Sequence, residues 1–125
     1  MSSTNIYFKD TCQPLSFGEM TGEFATLLDA GDLEWQNVFW LKQTVRDFLN
    51  AGCNYFVCYG ESSEIVHDLI DKVVEDCGFL NVSTTYHNDE SKSEVASFFK
   101  LVAMQDMSQG LIFVRNLKDW RSVVN

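Results

Sequence analysis

Short β-branched or aromatic runs alternate with amphipathic stripes along most of the chain, and the stripes close on glycines or turn clusters. This alternation constrains the fold more than any other feature. Strands separated by helices pair in parallel, through crossovers that share one hand. The first clear run, Glu23–Leu28, ends at the turn cluster Asp29-Ala-Gly-Asp32. Val38, Leu41, Val45, Phe48 and Leu49 then recur at helical spacing, with Trp35, Phe39 and Trp40 widening the stripe. Asp32 is placed to cap that helix, and Gly52 stands where a left-handed residue ends one.

The pattern repeats twice more. Asn54–Tyr59 reads as a strand stopped by Gly60. Ser62 or Ser63 caps a helix striped by Ile65, Val66, Leu69, Ile70, Val73, Val74 and Cys77, closed by Gly78. Val82–His87 is strand-like, Asn88-Asp-Glu90 is a turn, and Ser91-Lys-Ser-Glu94 matches a capping box. The third helix is expected to bury Val95, Phe98, Phe99, Val102 and Met104. Gly110–Val114 is a last strand, and Leu117–Val124 a short terminal helix carrying Trp120. The expected architecture is a three-layer α/β/α sandwich of about four mostly parallel strands alternating with three to four helices. It forms a single domain over residues 1–125. Residues 1–20 are mixed, with Asn5–Phe8 as a candidate extra strand.

Charge bears on partners rather than on fold. The chain has 18 Asp and Glu against 9 Lys and Arg, a net charge of −9 over 125 residues. Phosphate binding rests on Lys and Arg, so neither nucleic acid nor an anionic membrane is an expected direct partner. Disorder is not expected, because 46% of the residues are hydrophobic. No apolar run approaches the ~20 residues of a membrane span. Residues 1–10 lack a basic segment followed by an apolar one, so no cleaved signal is expected and the cytoplasm is the default address. Cys12, Cys53, Cys58 and Cys77 form no CxxC and read as reduced thiols.

Ligands of parallel sheets gather at the carboxyl ends of the strands. That edge should collect Asp29, Asp32 and Glu34, then Glu61 and Glu64, then His87, Asp89 and Glu90, with Arg115 and Asn116 last. An acid in a first helical turn also offsets the helix dipole by roughly 0.3–1 kcal/mol, so helix chemistry alone accounts for any single one. The functional reading concerns the group. No phosphate-binding glycine motif follows a strand, and Glu61 would repel a phosphate. A magnesium site could use Asp29 and Glu61, but no Lys follows the last strand to hold a phosphate. A Cys58–His87 nucleophile needs both side chains facing one cleft. No catalytic, cofactor or metal set emerges, and the chain is not expected to be an enzyme. His67 reads as solvent-facing and His87 as a turn residue or a protonatable contact. Tyr59 and Tyr86, at strand ends beside the acids, are interface candidates.

Two resemblances follow from these residues. Thr84–Glu90, Glu94-Val95 and Phe98-Phe99, with Gly52–Tyr55 and Tyr59-Gly60 before them, resemble a pattern in an uncharacterised family of small bacterial proteins, over roughly residues 45–100. That family implies no activity. As a type, a small acidic α/β domain without motifs is similar to bacterial immunity proteins, which neutralise toxins of contact-dependent growth inhibition and related systems. The resemblance implies a heterodimer with a cognate protein toxin, a basic nuclease, and no cofactor. The expected contact set is Asp29, Asp32, Glu34, Glu61, Glu64, His87, Asp89 and Glu90, with Tyr59 and Tyr86 as anchors. The alternatives are a metal-dependent or nucleotide-handling enzyme using the same edge, and a regulatory adaptor.

Overall fold

The computed structural model describes residues 4–20, 22–106 and 109–124. Five strands form one fully parallel sheet: β1 (Asn5–Lys9), β2 (Phe24–Asp29), β3 (Cys53–Tyr59), β4 (Ser83–His87) and β5 (Gln109–Phe113). Their order is β1-β5-β2-β3-β4. The expected strand over residues 5–8 is therefore real and raises the count from four to five.

Four α-helices cover the sheet: α1 (Val38–Ala51), α2 (Ser63–Cys77), α3 (Lys92–Asp106) and α4 (Leu117–Val124). The chain steps from β2 to β3 to β4 in one direction through α1 and α2. It then returns through α3 to place β5 on the far side of β2. Crossovers of one hand put helices on opposite faces when the direction of travel reverses. The two cores show this. Phe24, Leu28, Phe56, Cys58, Leu111 and Phe113 pack with Leu41, Val45 and Phe48 of α1 and Val66 and Ile70 of α2. Ala25, Leu27, Val57, Ile112 and Val114 pack with Val95, Ala96 and Phe99 of α3 and Trp120 of α4. Alternate residues of each central strand thus face different helix pairs, and each large buried side chain contributes roughly 1.5–3 kcal/mol.

Several expected local devices are present. Gly52 and Gly78 take φ of 114° and 77° at the helix ends, where a side chain would be strained. Ser91 and Glu94 exchange the two bonds of a capping box, at 3.2 and 3.0 Å. Gly110 lets α3 approach the sheet: a Cβ there would sit 2.6 Å from Cζ of Phe99. Other devices differ. A single 3-10 turn, Leu33–Gln36, intervenes before α1, so Asn37 rather than Asp32 caps that helix, accepting the Trp40 N–H at 3.0 Å. Ser62 precedes α2 without a side-chain cap bond, and Ser63 is buried inside it. Phe39, Ile65 and Met104, expected in the core, are exposed. Trp35 is buried, but from the 3-10 turn rather than from the helix.

Candidate functional site

Because all five strands run parallel, their carboxyl ends share one edge, and every expected contact residue leaves the sheet there or in the turns that follow. Neighbours β2 and β5 send the chain to opposite faces, which makes a topological switch point between their ends. Asp29, Asp32 and Glu34 follow β2, and Arg115 and Asn116 follow β5.

At that switch point the charges meet one another. The backbone N–H of Arg115 donates to Oδ2 of Asp32 at 2.8 Å, and its guanidinium donates to Oε2 of Glu34 at 2.8 Å. The Cys12 thiol donates to the same Oε2 at 3.4 Å. Burial pushes the Asp32 carboxyl up to about 6; the Arg115 N–H opposes this, while the charges of Asp29 and Glu34 add to it. Burial also works against an ionised Glu34. There, bonds from its own backbone, from Arg115 and from Cys12 prevail and hold it below the usual value. The bond to Glu34 raises the Cys12 thiol, the opposite of an activated nucleophile. Asp29 accepts the Gly31 N–H at 2.9 Å, an Asx turn.

The other half of the rim is arranged differently. Glu61, Glu64 and Asp89 are exposed and make no side-chain hydrogen bond or ion pair among the described residues. Glu90 sits 3.0 Å from Nδ1 of His87, whose Nε2 lies 2.9 Å from the Thr85 hydroxyl. His87 is only 8% exposed, and its ring packs 4.9 Å from Phe98 of α3. Tyr59 is half-buried, edge-on to Trp120 at 5.0 Å. Tyr86 is more open and lies 5.0 Å from the His67 ring.

Two local expectations are corrected. His67 does not face solvent: Nε2 donates to the Thr84 carbonyl at 3.1 Å, and Nδ1 lies 2.9 Å from Asp68, tying α2 to β4. Cys58 and His87 cannot form a nucleophilic pair. Cys58 pairs in register with Tyr86 and points into the α1/α2 core, whereas His87 points toward Phe98 of α3, on the opposite face. Burial also pushes the Cys58 thiol far up. Among the described residues no three His, Cys, Asp or Glu side chains converge as metal ligands would. No described helix is long and apolar enough to cross a membrane.

The junction-by-junction reading missed the charge of α2. Ser63–Cys77 carries Glu64, Asp68, Asp71, Glu75 and Asp76 against Lys72 alone, and all six are exposed. The anionic surface therefore runs from the rim down the outside of this helix. The signal was visible: five of the eight residues outside the apolar stripe positions of this segment are acids.

A family model described as "Domain of unknown function (DUF7684)" matches residues 12–115. The match takes in the sheet from β2 to β5, with Cys12, Glu34 and Arg115 inside it. No curated protein and no solved structure matches the chain.

Proposed function

The chain belongs to the DUF7684 family, and for it we propose a binding function of the immunity kind: it docks a basic toxin domain, a nuclease, in the cytoplasm and blocks it. The observation that carries this reading is the set of unpaired acids, Glu61, Glu64 and Asp89, standing open on one edge of a chain with net charge −9. Opposite fields steer two proteins together, raising association rates above the ~10⁵–10⁶ M⁻¹s⁻¹ of neutral pairs. A carboxylate paired with Lys or Arg in a desolvated patch adds several kcal/mol when the geometry is good. Asp29, Asp32 and Glu34 already have partners within the chain, so they shape the field rather than meet the toxin directly. Tyr86, the more open of the two strand-end tyrosines, remains an anchor in this reading. Co-expression with the neighbouring upstream open reading frame, followed by pull-down and growth rescue, tests it. A stable complex and restored growth are expected; a neighbour that neither binds nor poisons cells removes the proposal.

One observation favours a second reading. Asp32, with its raised carboxyl, stands at the switch point where α/β enzymes hold ligands. Micromolar binding of Mg²⁺ or Mn²⁺ by calorimetry, abolished in Asp32→Asn, would favour an enzyme over an immunity protein.

A further inference from the structure

Resting on that partner-binding reading, we propose that the groove between the starts of α1 and α2 receives an apolar side chain from a basic, amphipathic segment of the partner protein. The groove holds about 300 Å³; its lining is mostly apolar, with Trp35, Val38, Ile65 and Leu69 among its walls, and includes the polar Gln36 and Ser62. Both helices begin at the carboxyl edge of the sheet, so it opens beside the acidic rim. Two of its walls, Val38 and Ile65, are 44% and 67% exposed. Large apolar residues clustered on one surface mark contact sites more often than residues exposed singly. Trp35 is 1% exposed, and its indole N–H has no partner among the described residues. A buried donor left unpaired is costly.

Charge decides the occupant. Glu61 and Glu64 precede Ile65 and Asp68 follows it, at the head of the acidic face of α2. The α1 side differs, carrying Lys42 and Arg46 with Asp47. Cations of the partner therefore align along α2, with the apolar anchor between the two helices. A nucleic acid or an anionic membrane would be repelled, and a second copy would bring two acidic α2 faces together.

The test uses the full chain and two synthetic helical peptides of equal charge, one with Leu at i, i+3, i+4 spacing between lysines and one with every Leu replaced by Ser. In an NMR titration the Leu peptide should bind at least tenfold tighter. It should also perturb the Trp35 indole and the amides of residues 36–38 and 62–69. Val38→Ser with Ile65→Ser should remove that tenfold preference; both side chains are exposed, and circular dichroism verifies the fold. Equal binding of the two peptides, perturbations elsewhere, an unchanged preference in the double variant, or a wild-type dimer that the variant dissolves would each overturn the groove. Failure of the groove is separable from failure of the immunity reading. A co-expressed toxin weakened by Glu61→Lys and Asp89→Lys but indifferent to the groove variant would retain immunity and discard the groove. Groove binding by the Leu peptide, with no toxin found, would do the reverse.

Discussion

The two halves of the rim hold the same residue type on the same sheet edge and use it in opposite ways. Where β2 and β5 diverge, carboxylates are turned inward: Asp32 takes a backbone N–H, and Glu34 takes a guanidinium and a thiol. Where β3 and β4 end, Glu61, Glu64 and Asp89 point out without partners. The difference lies in what each turn meets. At the end of β2 the backbone N–H and the guanidinium of Arg115, brought in by β5, engage Asp32 and Glu34. At the ends of β3 and β4 no such donor reaches Glu61, Glu64 or Asp89 among the described residues, and Glu90 turns back to His87. A carboxylate at a strand end therefore means little by itself; whether a neighbouring strand brings it a donor decides whether it is structural or available.

The sharpest way to break this comparison is charge reversal at the open half. Glu61→Lys with Asp89→Lys changes the net charge by four units and should slow association with a basic partner by about ten- to a hundredfold at low salt. The loss should shrink as salt screens the field. Thermal stability should stay within about 0.5 kcal/mol of wild type, since neither side chain has a partner to lose. Stopped-flow rates across a salt series check this; rates unchanged at low salt would show that the open acids are not the docking field.

Next comes the closed half, probed through pH. Asp32 has an ordinary value of 3.8 and is raised to about 6 in the fold. Between those values the folded state holds a proton the unfolded chain has released, so this group's contribution is greatest below about pH 4 and declines as pH rises through 6. Asp32→Asn keeps an oxygen for the Arg115 N–H and removes the charge. The variant should be more stable than wild type by about 1 kcal/mol at pH 7.5, after discounting for a half-exposed site, and the gap should close toward pH 4. Denaturant melts at several pH values measure it. A gap that does not depend on pH would mean that the Asp32 carboxyl is not strained by burial.

Much of the fold was legible because its signals are local. Glycines at helix ends, the Ser91–Glu94 box and the alternation of periodicities each need only a few consecutive residues. What failed to show was whatever depends on a distant segment. β1 pairs with β5 across about a hundred residues of sequence, and nothing in Asn5–Lys9 announces that neighbour. The side chain of Asp32 looked like a helix cap until Arg115, brought in by β5, supplied an N–H for it. His67 looked exposed until β4 supplied the Thr84 carbonyl. Ile65 and Phe39 sit in apolar stripes wider than the buried face, and periodicity does not reveal which edge of a stripe lacks a covering element. The acids of the site were thus readable as a group, whereas their division into engaged and open members was not.

A smaller effect separates the ion pair from the field. Arg115→Ala removes the guanidinium from Glu34 and leaves the backbone bond to Asp32 intact. Only the Arg115 side of the pair is open, the Glu34 side chain being 16% exposed, so the melting temperature should fall by about 2–4 °C. Association with a basic partner should be slightly faster, because a cation leaves the rim. A slower rate would place Arg115 itself in the interface and move the docking surface toward the switch point.

The smallest effect is the most discriminating, because Glu64 is where helix chemistry and partner contact predict different things. It lies in the first turn of α2, and a carboxylate there offsets the helix dipole. Glu64→Gln should therefore cost about 0.3–0.5 kcal/mol of stability whether or not the residue touches a partner. Only a contact role adds a second signature, a dissociation rate raised severalfold at a salt concentration where long-range steering is screened. If stability falls as expected and dissociation does not change, Glu64 is a helix-start acid and nothing more, and the open half of the rim contracts to Glu61 and Asp89.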